Sequence, residues 1–190
     1  MPFARSQRAP CKSALLCSGA PWNVRNTTLS APRCARASQA ASTRSRTIGY
    51  GVLTVPGPAL VDVVAPIALV LDGRPVVNAT NVMGDGPTAT ELLASAAPGA
   101  RQIRAFNTLG VENFAEPTID GTPIDLLWAG DDDTVDVAEQ LIGDVGLRPV
   151  RIGGLDRADL VDAVFRLWIA LAIQGGRGRR LGFQVLTPTA

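Results

Sequence analysis

Short apolar runs alternate with longer amphipathic stretches along the chain from Tyr50 onward. The apolar runs predict strands at 51–55, 75–79, 102–106, 124–129 and 148–152. The stretches between and after them predict helices from Pro58 to Val70 and over 88–96, 109–115, 133–145 and 156–173. Strands of this length that alternate with helices are typical of right-handed crossovers. We therefore expect an α/β fold with a parallel sheet and a long C-terminal helix.

Local signals refine two helices and one strand. Thr88 followed by Glu91 predicts a capping box at the start of the helix over 88–96. Asp156 is predicted to cap the last helix, with Asp159 in its first turn. The half-polar run over 148–152 indicates a strand at or near an edge of the sheet.

Small polar side chains stand where three of the predicted strands end. They are found in Thr54-Val55-Pro56-Gly57, in Asn78-Ala79-Thr80-Asn81 and in Asn107-Thr108. Open parallel sheets bind ligands beyond the carboxyl ends of their strands, and amides or hydroxyls there can bond a carboxamide, a ribose or a ring carbonyl. The alternative is a local role, in which Asn107 or Thr108 caps the next helix and Asn78 supports a turn.

Composition restricts the chemistry. The chain has no histidine, and its three cysteines all precede Thr47, so the later part excludes His-based acid–base catalysis, Ser-His-Asp triads and Cys/His zinc sites. Carboxylates, hydroxyls, amides, arginine or a bound cofactor must supply the chemistry. A net charge near zero argues against nucleic-acid binding, and no apolar run is long enough to span a membrane.

The leading segment differs in composition from the rest. Residues 1–46 carry eight basic side chains and no acidic one, whereas ten basic and seventeen acidic residues are found from Thr47 onward. We expect 1–46 to be a disordered or non-native leader and 47–190 to be a partial domain. A transit peptide would fit this composition. The alternative is a shifted reading frame or a wrong gene start, and the shifted frame is favoured because out-of-frame reading of high-GC coding DNA gives such a mixture.

Five segments in order resemble one family: "VPGPAL", "VVNATN", "IRAFNTLG", "LLWAGDD" and "LVDAVFRLWIALAIQGG". Over residues 50–187 the chain resembles NADPH-dependent deazaflavin (coenzyme F420) reductase-like proteins, whose Rossmann domain is related to that of pyrroline-5-carboxylate reductases. The resemblance implies NADP(H) and coenzyme F420 as cofactors and hydride transfer between their rings. Such transfer needs positioning and a dry site, and no histidine.

The resemblance also implies the site residues. Val55, Pro56 and Gly57 would line the nicotinamide, while Asn78, Ala79, Thr80, Asn81, Asn107 and Thr108 would surround the face where the two rings meet. Asn78 stands where many relatives have aspartate. No metal ligands are implied, and "GDDD" at 130–133 is interpreted as acidic residues at a helix start.

The sequence departs from the family at its beginning. Such proteins open with a strand and Gly-x-Gly-x-x-Gly, and then carry a Ser/Thr/Arg cluster for the 2′-phosphate, and neither is found here. We therefore expect an incomplete doubly wound, Rossmann-like domain in which the strand at 51–55 is an exposed apolar edge.

Three hypotheses are compatible with these observations. The first is a cytoplasmic, N-terminally damaged NADPH:F420 oxidoreductase whose partners are small redox cofactors. The second is a non-catalytic Rossmann remnant that forms a homodimer through the edge strand or the last helix, whose apolar arc is wide. The third is a related nicotinamide enzyme with another acceptor. The arginines of "GGRGRR" at 175–180 are interpreted as solvated.

Overall fold

The computed structural model describes residues 49–188 and the backbone of a strand at 15–17. The predicted disorder of the rest of 1–46 lies outside the described residues. The described strands are β1 (Leu15–Cys17), β2 (Gly51–Leu53), β3 (Pro75–Asn78), β4 (Arg101–Arg104), β5 (Thr118–Ile119), β6 (Thr122–Pro123), β7 (Asp125–Gly130) and β8 (Arg148–Gly153). Six of them form one sheet in the order β1-β2-β3-β4-β7-β8, and β5 and β6 form a separate hairpin.

Helices connect these strands. The consecutive segments Gly57–Ala59, Leu60–Val64, Ala65–Ile67 and Ala68–Leu71 together form α1. The others are α2 (Ala89–Ala96), α3 (Glu112–Ala115), α4 (Val135–Asp144) and α5 (Ala158–Ile169), and α5 continues as a wider π-helical turn over Ala170–Gln174. Pro66 lacks an N–H, and the helix tightens to 3₁₀ geometry around it.

The capping predictions had different outcomes. The capping box of α2 is confirmed, because the Glu91 amide donates to Thr88 Oγ1 while the Thr88 amide donates to Glu91 Oε2. The predicted Asp156 cap is wrong. Asp156 lies inside a 3₁₀ turn, Leu155–Arg157, and Arg157 precedes α5 without a side-chain capping bond.

The α/β, mostly parallel fold is confirmed, with one reversed strand. β2, β3 and β4 are parallel, as are β7 and β8, but β7 runs antiparallel to β4. The connection between them holds only the four-residue α3 and the β5–β6 hairpin. A parallel strand would need a connection that leads back to the amino end of β4, and a helix this short cannot span that distance. β7 therefore begins near the carboxyl end of β4 and runs antiparallel to it.

Both edge predictions can be compared with the sheet order. β8 lies at an edge, as its half-polar sequence predicts. The prediction that the strand at 51–55 is an exposed edge is wrong, because β1 pairs antiparallel with β2 on the side away from β3.

Two apolar clusters enclose the sheet. Val76 belongs to a cluster with α1 and α2, whereas its neighbour Val77 belongs to a cluster with Trp128 and Trp168. Adjacent residues of a strand face opposite sides, so helices cover both faces. This packing brings the carboxyl ends of β2, β3 and β4 to one rim of the sheet. No helix in the described part of the chain is long and apolar enough to cross a membrane.

The C-terminal tail packs against the region around α3, and two tail arginines hold it there. Arg179 pairs with Glu112 at 2.7 Å, and Arg180 donates to the Glu116 carbonyl at 2.6 Å. The interpretation of these side chains as merely solvated is therefore wrong for both, because they fasten the tail to α3.

Candidate functional site

The loops after β2 and β3 contact each other at this rim. Val55 is buried in the cluster with α1 and α2, while Pro56 is exposed and Gly57 is buried. A Cβ added to Gly57 would lie 2.9 Å from Val82 Cγ2 and 3.1 Å from the Asn81 carbonyl oxygen. Glycine at 57 therefore permits the close approach of the two loops, and Val55 contributes packing.

Asn78 ties the end of β3 to its surroundings. Its side-chain amide donates to the Ala89 carbonyl of α2 at 2.8 Å, and its Oδ1 accepts from the Thr80 amide at 3.3 Å. The residue is fully buried, as is Thr80. The structure thus gives Asn78 the turn-supporting role considered from the sequence, together with an anchor on α2.

An ion pair between a buried arginine and a half-buried aspartate connects several segments at the rim. Arg104, the last residue of β4, is only 2% exposed, and its Nε donates to Asp162 Oδ1 of α5 at 2.8 Å. Its Nη1 donates to the carbonyls of Asn78 at 2.8 Å and Thr80 at 2.6 Å. One guanidinium therefore joins α5 to the loop after β3. Burial lowers the pKa of Arg104, while the charge of Asp162 and the hydrogen bond to it oppose that shift.

Amide side chains join the loops after β3 and β4. Asn81 Nδ2 donates to the Asn107 carbonyl at 3.1 Å, and Asn107 Nδ2 lies 3.3 Å from Asp162 Oδ1. Asn107 and Thr108 are buried, and α3 begins at Glu112 after Val111 without a side-chain cap. The alternative role of Asn107 or Thr108 as that cap is wrong.

Backbone strain precedes Asn107. Phe106 has φ of 63°, in the left-handed region that a bulky side chain rarely adopts. Its ring packs edge-on against Phe114 at 5.8 Å between centroids. A strained residue at a strand end persists because its surroundings hold it, and such residues are enriched at functional sites.

Several buried polar atoms at this rim have no hydrogen-bond partner among the described residues: Thr80 Oγ1, Asn107 Oδ1 and Thr108 Oγ1. Leaving a buried polar atom unpaired costs about 1–3 kcal/mol. All three belong to the residues that the resemblance assigns to cofactor binding. All three atoms are enclosed by protein, and none of these residues lines the cavity at this rim.

A small cavity of about 140 Å³ adjoins the ion pair. Residues from the loop after β3, from the start of α2 and from α5 line it, among them Asn81, Arg104, Asp162, Phe165 and Arg166. Pockets for drug-sized ligands are about 300–1,000 Å³. The cavity therefore has room for one small ring or a single functional group.

Sequence reasoning missed Arg104, Asp162 and the cavity residues of α5. A signal existed for the first two, because each is a charge inside an otherwise apolar pattern. Arg104 stands between Ile103 and Ala105 in the strand predicted over 102–106, and Asp162 interrupts the apolar arc of α5. Such charges are buried only when paired, but these two partners are 58 residues apart.

The aspartates of 131–133 lie at the opposite rim, where β7 ends. Asp132 pairs with Arg151 at 2.7 Å and Asp133 with Arg101 at 3.1 Å, while Asp131 Oδ1 accepts from the Leu155 amide. Within the described residues no group of three or more acidic, cysteine or histidine side chains could hold a metal ion.

No protein-family model matches the sequence, and no curated protein matches it. Among solved structures, the chain is similar to a protein from Arthrobacter sp. FB24 described as an F420-dependent NADP-reductase. The TM-score is 0.63 at 17% identity, over 72% of this chain and 68% of that one. This likeness confirms the Rossmann-like fold.

Two further solved structures are less similar. The hypothetical protein SMa0349 from Sinorhizobium meliloti has a TM-score of 0.47 at 30% identity, over 55% of this chain and 56% of that one. A pyrroline-5-carboxylate reductase from Coxiella burnetii has a TM-score of 0.38 at 17% identity, over 66% of this chain and 47% of that one. The chain thus spans about half the length of these two proteins.

Proposed function

We propose that this chain is an NAD(P)-dependent oxidoreductase that transfers hydride between NADPH and a deazaflavin of the F420 type. The observation that carries the proposal is the cavity at the carboxyl-end rim, which is lined by polar side chains that include Asn81, Arg104 and Asp162. The fold, shared with a protein described as an F420-dependent NADP-reductase, supports it. A related enzyme with another planar acceptor would use the same rim.

The roles of the residues are those that hydride chemistry requires. A bound nicotinamide supplies the hydride, and the transfer requires no acid or nucleophile from the protein. Asn81 and Asn107 would orient the rings through their amides, while Gly57 keeps the adjoining loops close together. Arg104 and Asp162 would hold these groups in place. None of these roles requires histidine, which the chain lacks.

The test is thermal unfolding of the full chain during titration with NADPH, and then an assay of F420 reduction. We expect the melting temperature to rise with NADPH at micromolar concentrations, because a ligand that binds only the folded state stabilises it. Absorbance of oxidised F420 should then fall with NADPH. A melt indifferent to NADPH, together with no F420 reduction, would show that the proposal is wrong.

A second candidate function is a non-catalytic module that forms a homodimer through α5. The observation in its favour is the exposure of apolar side chains there, with Leu160 at 41% and Leu167 at 49%. The two leucines are seven residues apart and therefore lie on one face of α5, as the side chains of a helix–helix interface do. Sedimentation at several concentrations tests it, with Leu167→Asp as the variant expected to abolish self-association. Dimerisation without NADPH binding would favour this candidate over the enzyme.

A further inference from the structure

The two carboxylate oxygens of Asp162 are used unequally. Oδ1 accepts from Arg104 Nε at 2.8 Å and from Arg104 Nη2 at 2.5 Å, and Asn107 Nδ2 lies 3.3 Å away. Oδ2 has no hydrogen-bond partner within residues 49–188. The Asp162 side chain lines the cavity and keeps 15% of its surface exposed. A charged acceptor is therefore left for a ligand in the cavity.

Two neighbours on α5 complete a recognition surface. Phe165 and Arg166 come three and four residues after Asp162, a spacing that places all three on one face of a helix. Both line the same cavity, and Arg166 forms no ion pair with a described residue. An acceptor, a cationic donor and an aromatic side chain thus lie together beside one small space.

We propose that Asp162 and Arg166 bind a planar amide group of the ligand. The ligand N–H donates to Asp162 Oδ2, its carbonyl oxygen accepts from the Arg166 guanidinium, and its ring packs against Phe165. The cavity of about 140 Å³ has room for one such group. Charge-assisted hydrogen bonds of this kind are stronger than neutral ones.

This inference rests on the proposed function, which supplies two sources of the same chemistry. The nicotinamide carboxamide and the ring imide of a deazaflavin both place an N–H next to a carbonyl. Arg104 acts here as a positioning residue, because its two hydrogen bonds occupy Oδ1 and hold the carboxylate in a fixed place.

The test compares each ligand with an N-methylated analogue that lacks the N–H. The probes are nicotinamide, N,N-dimethylnicotinamide, 5-deazariboflavin and 3-methyl-5-deazariboflavin, titrated against the full chain by calorimetry or ligand-observed NMR. We expect one N–H probe to bind about 10- to 100-fold more tightly than its methylated form, as loss of a hydrogen bond to a charged group predicts. Preference within the nicotinamide pair identifies the carboxamide, and preference within the deazaflavin pair identifies the imide.

Variants then assign the effect to the residues. Asp162→Asn should remove the preference, whereas Asp159→Asn, an exposed aspartate on the same helix, should leave it unchanged. Arg166→Met should weaken binding of the N–H probe about tenfold, and because Arg166 is exposed this variant remains informative if Asp162→Asn does not fold.

The outcomes separate this inference from the proposed function. Equal affinity for both members of each pair, absence of binding of all four probes, or a preference that survives Asp162→Asn and Arg166→Met would overturn it. Binding of an N–H probe with the expected preference, but without hydride transfer from NADPH to F420, would instead overturn the proposed function alone.

Discussion

Two aspartates, the buried Asp125 and the half-buried Asp162, are each paired with an arginine but differ in how their oxygens are used. Asp125 at the start of β7 is fully buried, and both of its oxygens are used. Oδ1 accepts from Arg148 Nε at 2.5 Å, and Oδ2 accepts from Arg148 Nη2 at 2.8 Å and from the Val185 amide at 2.6 Å. Asp162 has one oxygen used by Arg104 and the other without a partner among the described residues.

The difference separates a structural pair from a candidate site. Asp125 fastens the tail to the sheet, and both of its oxygens accept hydrogen bonds from within the chain. Asp162 also joins distant segments, but it keeps acceptor capacity beside a cavity. Polar groups inside a protein normally have hydrogen-bond partners. An oxygen without a partner beside a cavity is therefore a better indication of a binding site than a fully paired carboxylate. Four predictions test this distinction between contacts that only stabilise the fold and residues of the candidate site.

The largest expected effect comes from Arg104→Met. This change leaves Asp162 without its cation and frees the loops after β3 and β4, so the free energy of unfolding should fall by about 3–5 kcal/mol. Urea denaturation measures it. The double variant Arg104→Met with Asp162→Leu should recover part of the loss, because an apolar pair has no buried charge to desolvate. If Arg104→Met lowered the free energy of unfolding by less than Asp125→Asn does, the expectation that it has the larger effect would be wrong.

Asp125→Asn should lower the free energy of unfolding by about 2 kcal/mol, since an amide cannot accept at both positions and its N–H₂ would meet a donor. The tail beyond Phe183 should also become more accessible to proteases, because the Val185 amide loses its acceptor. We expect affinity for NADPH to remain unchanged. A marked loss of affinity for NADPH would show that Asp125 and Arg148 contribute to binding, and the distinction between a structural pair and a candidate site would then be wrong.

Asn107→Ala should cost less than about 1 kcal/mol, because its side-chain hydrogen bonds are long and its Oδ1 is unpartnered among the described residues. Turnover with NADPH should nevertheless fall about tenfold or more if Asn107 orients a ring. Kinetics and thermal unfolding of the same preparation distinguish the two roles. A large fall in melting temperature with NADPH affinity unchanged would make Asn107 a structural residue.

The smallest expected effect is on the pH dependence of the contact between the C-terminal tail and α3. The hydrogen bond from Arg179 is the main reason that the pKa of Glu112 lies below its ordinary value of 4.5. A lowered pKa in the folded state means that this stabilisation is present above 4.5 and disappears as pH falls through the folded value. Glu112→Gln should remove this part of the acid sensitivity. Hydrogen exchange of the tail amides between about pH 6 and pH 3 measures it. Identical pH profiles for both proteins would refute the prediction.

Most of the fold was predictable from local pattern. The alternation of apolar runs and amphipathic stretches predicts the strands at 51–55, 75–79 and 102–106, and the Thr88–Glu91 capping box depends on four consecutive residues. The direction of β7 was not predictable in this way. It depends on how far α3 extends, and the pattern predicts a helix over 109–115 where the structure has four residues.

The candidate site was likewise predictable only in part. The sequence by itself determined which strands end in amides and hydroxyls, because residue order fixes which side chains come after each apolar run. Only the tertiary structure decided that Arg104 and Asp162 meet, since they come from β4 and α5, 58 residues apart. Their pairing depends on how the helix packs over the rim of the sheet, and local preferences do not specify that packing. The open oxygen of Asp162 is therefore visible only in the folded chain.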